Sequence, residues 1–320
     1  MCLYEYMFVL LSFLIIGCSE NQIKISNEKS LKDSPFSVSK VIDTIKQVEQ
    51  LNQVKFAIAK YDCPVLNTSD FKDVYGGKNG YTLKKSKTGL VKPLEFVAFP
   101  GTVFEILDSA DNDGTVIYKV KTDEYPIILE GDNLYIDSRF VSTSYQKTEM
   151  KPKVCPPENY IYDYFDKSGN TFYVWGGNNI EGIDKMMEFY PPTKKLNSED
   201  ELIWKVKGVD CSGLIYEATD GCTPRNTHQL VSFGEPVEIE GLSVSQIISR
   251  LKPLDLIVWK GHLIIVYDEN TSIESSHSAN GVIKKNLFSV LKNLESKRTP
   301  SNEWNDMNQN SFVIRRWYKD

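Results

Sequence analysis

Residues 207–221 read KGVDCSGLIYEATDG, in which Cys211 stands between an aspartate and a serine immediately before an apolar run. Leu214, Ile215 and Ala218 recur at a spacing that can face a core, which predicts a helix beginning near the cysteine. The free backbone N–H groups of a first helical turn lower the pKa of a thiol placed there. The pattern favours Cys211 as a nucleophile, and the alternative is a packing residue.

A cysteine that transfers acyl groups needs a base, which is nearly always a histidine. The chain has three histidines, His228, His262 and His277. His262 opens an apolar strand after a Lys-Gly turn, from where an imidazole can reach across a groove to a helix terminus. His228 lies in a polar loop and His277 in a turn-rich segment, so both are expected to be ordinary surface residues.

Composition excludes other kinds of chemistry and partner. The formal net charge is −6 and no cluster of Lys and Arg occurs, which argues against nucleic acid as a ligand. There is no Cys-x-x-Cys pair and there are only three histidines, so a zinc site has little support. A cysteine nucleophile with a histidine base needs no metal or organic cofactor, and we expect none. We expect a monomer.

The elements that must position these residues fall into two parts. Residues 54–148 contain short runs rich in Val, Ile, Phe and Tyr that are separated by turn residues such as DSADNDG, which predicts a small β-barrel. A proline-bearing link at residues 150–160 follows. Beyond it, helical patterns, one of them carrying Cys211, precede several strands and predict an α+β domain with an antiparallel sheet.

The first residues carry an export signal. An apolar run over 7–16 is too short to span a bilayer and lies where the core of a secretory signal belongs. The run ends in LIIGC, which resembles the lipobox of bacterial lipoproteins and implies cleavage after Gly17 and a lipid on Cys18. The n-region lacks Lys and Arg, so a plain secretory signal or an N-terminal anchor is the alternative. A polar stretch over 18–40 is expected to be a tether, and a short helix to follow from residue 41.

Four cysteines remain outside the export segment: Cys63, Cys155, Cys211 and Cys222. In an exported protein four cysteines can form two disulfides, with three possible pairings. If Cys211 acts as a thiolate, one of the other three is unpaired as well.

Five motifs make the second part similar to a known family. YVWGG, VDCSGLI, PRNTHQ, LKPLDLIVWKGHLIIVY and SIESS occur in the order found in NlpC-type cell-wall cysteine peptidases, which are papain-like. The resemblance covers about residues 155–320. The β-rich part resembles the bacterial Src-homology-3-like barrels that often precede such domains, with an unrelated β-rich spacer as the alternative. The implied division is a signal peptide over 1–17, a tether over 18–40, a helix plus barrel over 41–150 and a peptidase domain over 151–320.

The resemblance implies a role for each site residue. Cys211 would be the nucleophile, His262 the general base and Glu274 the third residue that orients the imidazole, with His277 as the alternative third residue. Tyr173 would help to stabilise the oxyanion.

Three further residues are implied to contact the substrate. Trp175 would shape the pocket wall. Asp210 and Ser212 match positions that hold the amine of a stem peptide in some members, and helix capping is the structural alternative for this pair.

Two departures from the family pattern carry consequences. Residues 178–209 form an insert before the cysteine that could serve as a lid or narrow the groove. Leu254 replaces the usual glycine before the strand of His262, which leaves the type of turn open.

The function implied is an exported, membrane-anchored peptidoglycan hydrolase, on the periplasmic or cell-surface side. It would cleave the γ-D-glutamyl-diamino acid bond of murein stem peptides through a thioester. The alternatives are an inactive wall-binding lipoprotein and an amidase or acyltransferase on the same scaffold.

Overall fold

Two antiparallel sheets organise the residues that the computed structural model describes, which are 55–126, 131–149 and 152–319. The predicted signal peptide, the lipid-bearing Cys18, the tether and the helix after residue 41 lie outside these residues. No helix of the described residues is long and apolar enough to cross a membrane. Residues 54–320 pack as one unit.

The first sheet is built from seven strands of the β-rich half. They are β1 (Phe56–Ala59), β2 (Cys63–Leu66), β5 (Leu94–Ala98), β6 (Val103–Asn112), β7 (Thr115–Lys121), β8 (Leu134–Asp137) and β9 (Val141–Ser144), in the order β5-β2-β8-β7-β6-β1-β9. A short helix α1 (Phe71–Val74) and the pair β3 (Tyr75–Gly76) and β4 (Thr82–Leu83) stand beside it. All pairings in this sheet are antiparallel, and the closed barrel stays a prediction.

The turn predicted from DSADNDG is shorter than that stretch. Strand β6 continues to Asn112, and only Asp113 and Gly114, with φ of 52° and 81°, make the connection to β7. An Asp-Gly pair with positive φ at both residues suits the twist of a two-residue hairpin. The polar residues before it are therefore on an exposed strand extension rather than in a loop.

The second half contains seven helices and a second sheet. Its helices are α2 (Glu158–Lys167), α3 (Lys185–Phe189), α4 (Ser198–Trp204), α5 (Cys211–Ala218), α6 (Thr227–Leu230), α7 (Val244–Ile248) and α8 (Leu287–Glu295) in the described residues. Its strands are β10 (Asn178–Asn179), β11 (Gly208–Val209), β12 (Glu235–Pro236), β13 (Leu256–Trp259), β14 (His262–Val266), β15 (Thr271–Ser276), β16 (Gly281–Asn286), β17 (Thr299–Pro300) and β18 (Ser311–Arg316). The sheet order is β12-β18-β13-β14-β15-β16, with β17 parallel to β18 and β10 paired with β11. The prediction of mixed helices and antiparallel sheets is confirmed.

Helices cover both faces of the second sheet. Leu214 and Ile215 of α5 share one buried cluster with Leu263 and Ile265 of β14, together with α2. Leu291 of α8 belongs to a second cluster on the opposite face, together with α7. Successive side chains of β14 enter the two clusters in turn, because neighbouring side chains of a strand point to opposite faces and this strand is buried on both. It holds β14 between the helix that carries Cys211 and the helix that follows β16.

The insert at 178–209 packs into the β-rich half. Met186 and Trp204 are fully buried in the core cluster of that half, and the Trp204 Nε1–H donates to the carbonyl of Tyr190 at 2.9 Å. The Asn178 side chain forms two 2.9 Å hydrogen bonds with the backbone of Val97 in β5. The insert therefore joins the two halves, whereas the sequence had suggested a lid or a narrowed groove.

Leu254 takes the turn conformation that a glycine would adopt at this place. Its φ is 66°, its N–H donates to the carbonyl of Val266 at 2.8 Å, and its side chain is buried. A left-handed backbone costs about 1–2 kcal/mol in a residue with a Cβ, and burial of a leucine contributes about 1.5–3 kcal/mol. The turn that precedes the His262 strand is therefore kept without the glycine.

One disulfide occurs among the described residues. Cys155 and Cys222 are bonded, with Cα atoms 5.1 Å apart and 67 residues of separation, while Cys63 and Cys211 are free and buried. The bond ties the link between the halves to the segment after α5. The structure therefore matches the case in which Cys211 is left as a thiol and one of the other three cysteines, Cys63, is unpaired as well.

We expect Trp204→Ala to lower the free energy of unfolding by about 3–5 kcal/mol, because it empties a fully buried aromatic site. Urea denaturation followed by circular dichroism measures the change. Phe288→Ala, at an aromatic residue that is 44% exposed on α8, is the control and should cost less than about 1 kcal/mol. Equal effects for the two variants would contradict the packing described for the insert.

Candidate active site

Cys211 is the first residue of α5. The preceding Asp210 is the N-cap, and its side chain accepts a hydrogen bond from the N–H of Gly213 at 2.6 Å. Aspartate at this position satisfies one of the unpaired N–H groups of a first turn. The thiol, in a residue that is 8% exposed, therefore lies at the positive end of a helix, where a negative charge is stabilised.

Gly213 allows α5 to approach the segment 173–177 closely. A Cβ at this position would lie 2.0 Å from the carbonyl oxygen of Gly177, which no side chain can occupy. The N–H of Asp210 donates to the same carbonyl at 3.0 Å. The glycine after Cys-Ser is thus a packing requirement, and it brings the YVWGG segment beside the thiol.

The guanidinium of Arg225 binds the carboxylate of Asp210. It is 2% exposed, and its two terminal nitrogens donate to the two oxygens of Asp210 at 3.1 and 2.9 Å. It also donates to Ser212 Oγ at 2.9 Å, and Gly176 N–H donates to Asp210 at 3.1 Å. The capping alternative therefore has direct support for Asp210, while Ser212 bonds the side chains of Asp210 and Arg225. The amine-binding role stays a prediction for both residues.

His262 contacts Glu274 through Nε2 at 2.5 Å. The other carboxylate oxygen of Glu274 accepts from Lys285 Nζ at 2.5 Å, and Glu274 is buried. Ile265 faces Ile273 across β14 and β15, so the register puts residues 262 and 274 on the same face as a diagonal pair. This register favours Glu274 over His277 as the third residue.

The imidazole of His262 also interacts with Cys211. Burial lowers the pKa of the imidazole, but hydrogen bonds with Cys211 and Glu274 raise it more strongly, to about 9. The three predicted residues therefore lie together, and no group of three or more His, Cys, Asp and Glu side chains that could hold a metal ion occurs in the described part of the chain.

Tyr173 lies beside the thiol and is almost completely buried. Burial raises the pKa of its hydroxyl, and the charges of Asp210 and Cys211 raise it further. The hydroxyl therefore stays a hydrogen-bond donor, as an oxyanion contact requires. Trp175 forms part of the same pocket and is covered by Lys92, whose Nζ lies 2.9 Å from the ring centroid.

The remaining two histidines, His277 and His228, do not belong to the group of Cys211, His262 and Glu274. His277 is exposed and lies edge-on to Tyr173, with ring centroids 5.7 Å apart. His228 is exposed on α6, where partial burial of its ring and then the charge of Lys260 lower its pKa. Both residues line the site cavities without a contact to the carboxylate of Glu274 among the hydrogen bonds of the described residues.

A cavity of about 190 Å³ lies on the Cys211 side of the site. The β-rich half contributes Glu95 and Tyr125 to its wall, and the Tyr125 hydroxyl donates to Glu95 at 3.0 Å. Glu95 has no cationic partner within 4 Å among the described residues. No sequence signal marked these two residues, because their proximity to Cys211 depends on how the halves pack.

Asn226 was also missed by the sequence analysis. Its Oδ1 caps α6, while its buried Nδ2 has no hydrogen-bond acceptor among the described residues. It forms part of the wall of the same cavity. A buried donor without a partner is unusual in a native protein and suits a site that accepts a substrate oxygen.

Comparisons with known proteins give structural likenesses only. The sequence matches no family model and no curated protein. The peptidoglycan hydrolase RipB from Mycobacterium tuberculosis is similar at 19% identity and a TM-score of 0.30, over 51% of this chain and 65% of that chain. An NlpC/P60 family protein from Bacillus cereus is similar at 12% identity and a TM-score of 0.31, over 85% and 66%.

RipD from M. tuberculosis, described as a non-catalytic NlpC/p60 domain protein adapted to peptidoglycan binding, has 16% identity and a TM-score of 0.29, over 49% and 95%. The match to RipB spans just under two thirds of that protein. At such scores the likenesses carry no argument about activity. What the site can do is therefore argued from its own residues.

We expect the ring resonances of His262 to titrate near pH 9 in nuclear magnetic resonance spectra. Cys211 and Glu274 stabilise the imidazolium, so this contribution to stability is complete below the ordinary pKa of 6.5 and is lost as the pH rises through about 9. Glu274→Gln should lower the midpoint. His228 serves as the internal control and should titrate below 6.5. A His262 midpoint at or below that of His228 would contradict the arrangement.

Proposed function

We propose that the protein is a cysteine peptidase that hydrolyses peptidoglycan stem peptides. The observation that carries the proposal is the imidazole of His262, which contacts Glu274 through Nε2 at 2.5 Å and whose pKa is raised by Cys211 as well as by Glu274. This is the geometry of a nucleophile, a base and a group that orients the base. A protein that only binds the cell wall would have no need to retain Cys211, His262 and Glu274 together.

The reaction would proceed in two acyl transfers. The Cys211 thiol gives its proton to His262, and the sulfur attacks the carbonyl carbon of the scissile amide to form a tetrahedral oxyanion. His262 then donates the proton to the leaving nitrogen as the C–N bond breaks, which leaves a thioester. A water molecule, deprotonated by His262, attacks the thioester and restores the thiol.

The oxyanion would be stabilised by donors that are already in position. The backbone N–H groups of Cys211 and Ser212 belong to the first turn of α5, and the Tyr173 hydroxyl is a buried donor beside the nucleophile. Removing one such donor from an oxyanion site typically lowers kcat by about 10²–10³. Tyr173 is therefore assigned to this role in the proposal.

The bond cleaved is proposed to be the γ-D-glutamyl-diamino acid bond of a short stem peptide. The support is the small cavity on the Cys211 side, which the β-rich half closes with Glu95 and Tyr125. Glu95 accepts hydrogen bonds from Asn67 and Tyr125 but forms no salt bridge among the described residues, and a carboxylate without a cation suits the free amine of an N-terminal residue. The small volume of this pocket, about 190 Å³, favours short peptides already released from the wall.

Export and anchoring through a lipid on Cys18 remain part of the proposal, supported by the sequence of residues 7–18. A site at the outer face of a membrane would meet stem peptides during wall turnover. The Cys155–Cys222 bond is in keeping with an oxidising compartment.

Cys211→Ala should reduce cleavage of a murein tripeptide by about 10⁴-fold or more, because no other group in the site supplies a nucleophile. Mass spectrometry of the products measures the loss and identifies the bond. Cys63→Ala is the matched control, since Cys63 is the second free buried cysteine of the described residues and lies outside the site. Activity that survives in Cys211→Ala, or that disappears with a chelator in the parent chain, would refute the mechanism.

Glu95→Gln should raise KM for a peptide with a free N-terminal amine by about tenfold, the loss of one charge-assisted hydrogen bond. An N-acetylated peptide should be cut poorly by the parent and be insensitive to the substitution. Glu105→Gln, on the exposed part of the same sheet, is the control. Equal cleavage of free and acetylated peptides by the parent would rule out the amine pocket.

A further inference from the structure

A second and larger cavity, of about 1020 Å³, lies on the His262 side of the site. It extends from the His262 face of the second sheet to α8 and the residues after it. Tyr173 and Gly261 line both this cavity and the smaller one. The two spaces therefore meet beside the Cys211–His262 pair, so that a bound peptide can extend from one into the other.

The charge of the larger cavity is opposite to that of the whole chain. Its lining contains Lys285, Lys297 and Arg298, and Glu274 is the one carboxylate among the described residues that line it. Both oxygens of Glu274 are already engaged, by His262 and Lys285. In a chain with a net charge of −6, this is a local excess of positive charge.

Arg298 is the best-fixed of these cations. Its guanidinium carbon lies 4.7 Å from the centre of the Trp259 ring, and its Nη1 donates to the carbonyls of Gln309 at 2.8 Å and Ser311 at 3.3 Å. Neither Arg298 nor Lys297 forms an ion pair within the described residues. A guanidinium held in this way keeps its remaining N–H groups available for a carboxylate.

The chemistry of the site decides which part of a substrate enters this cavity. The imidazole must donate its proton to the leaving nitrogen, so that nitrogen lies against His262 when the C–N bond breaks. The segment that leaves therefore extends to the His262 side. The acyl segment remains with the thiol and occupies the smaller cavity.

We propose that the larger cavity, which Arg298 lines, binds the carboxylate of the segment that leaves. It would thereby select peptides that end in a free carboxylate close to the scissile bond. The proposal rests on the peptidase function above. The acidic Glu95 would take the amine at one end of the substrate, and Arg298 with Lys297 would take the carboxylate at the other. The substrate class is thus a short, free peptide with both termini exposed.

The test compares a stem tripeptide that ends in a carboxylate with the same peptide as a carboxamide. The parent should cleave the acid with a kcat/KM about tenfold higher, which corresponds to one charge-assisted hydrogen bond. Arg298→Gln and Lys297→Gln should each reduce this preference, while Arg298→Lys should retain part of it. Lys292→Gln, on α8 but outside the cavity, should leave the preference unchanged. Equal rates for acid and amide in the parent would overturn the inference.

A binding measurement separates this inference from the proposed activity. Calorimetry with Cys211→Ala and the two tripeptides should show tighter binding of the acid, and the difference should shrink when Arg298→Gln is added. If the parent cleaves neither peptide but the acid binds more tightly, the peptidase proposal fails and the carboxylate site stands. If the parent cleaves both peptides equally and both bind equally, the carboxylate site is refuted and the peptidase proposal stands.

Discussion

The buried pair of Arg225 and Asp210 is the interaction on which the site depends. Removing two charges from water carries a large desolvation penalty, which is offset only when every polar atom finds a partner. Here the carboxylate caps α5, accepts from the N–H of Gly176 and takes two bonds from the guanidinium. The start of the nucleophile helix and the YVWGG segment are therefore fixed to each other by one carboxylate.

The same arginine connects this centre to the β-rich half. Its Nε donates at 3.0 Å to Asn178, whose side chain also pairs with the backbone of Val97. Glu95, which lines the small cavity, lies on the same strand, β5, as Val97. The position of the proposed amine pocket relative to the thiol is thus set through Asn178 and Arg225, not by a flexible link.

Much of the site could be predicted because its signals are local. An Asp-Cys-Ser-Gly start before an apolar run defines a capped helix, and His262 opens the apolar strand HLIIV. Glu274, in the polar strand TSIESS, was predicted from the resemblance to the family. The roles of Glu95, Tyr125 and Asn178 could not be predicted, because each depends on contacts across distant parts of the chain. The packing of the 178–209 insert could not be predicted for the same reason, because Met186 and Trp204 find their partners in the other half.

The packing of residues 178–209 into the β-rich half limits how the two halves can be recombined or engineered. In a protein made of independently folding domains, the catalytic domain can be fused to a different partner domain without losing its fold. Here a piece cut at the proline-bearing link would keep Met186 and Trp204 but lose the core that buries them, exposing a hydrophobic surface. Recombination within this lineage should therefore move both halves together, and a transplanted catalytic half should aggregate unless its insert is redesigned.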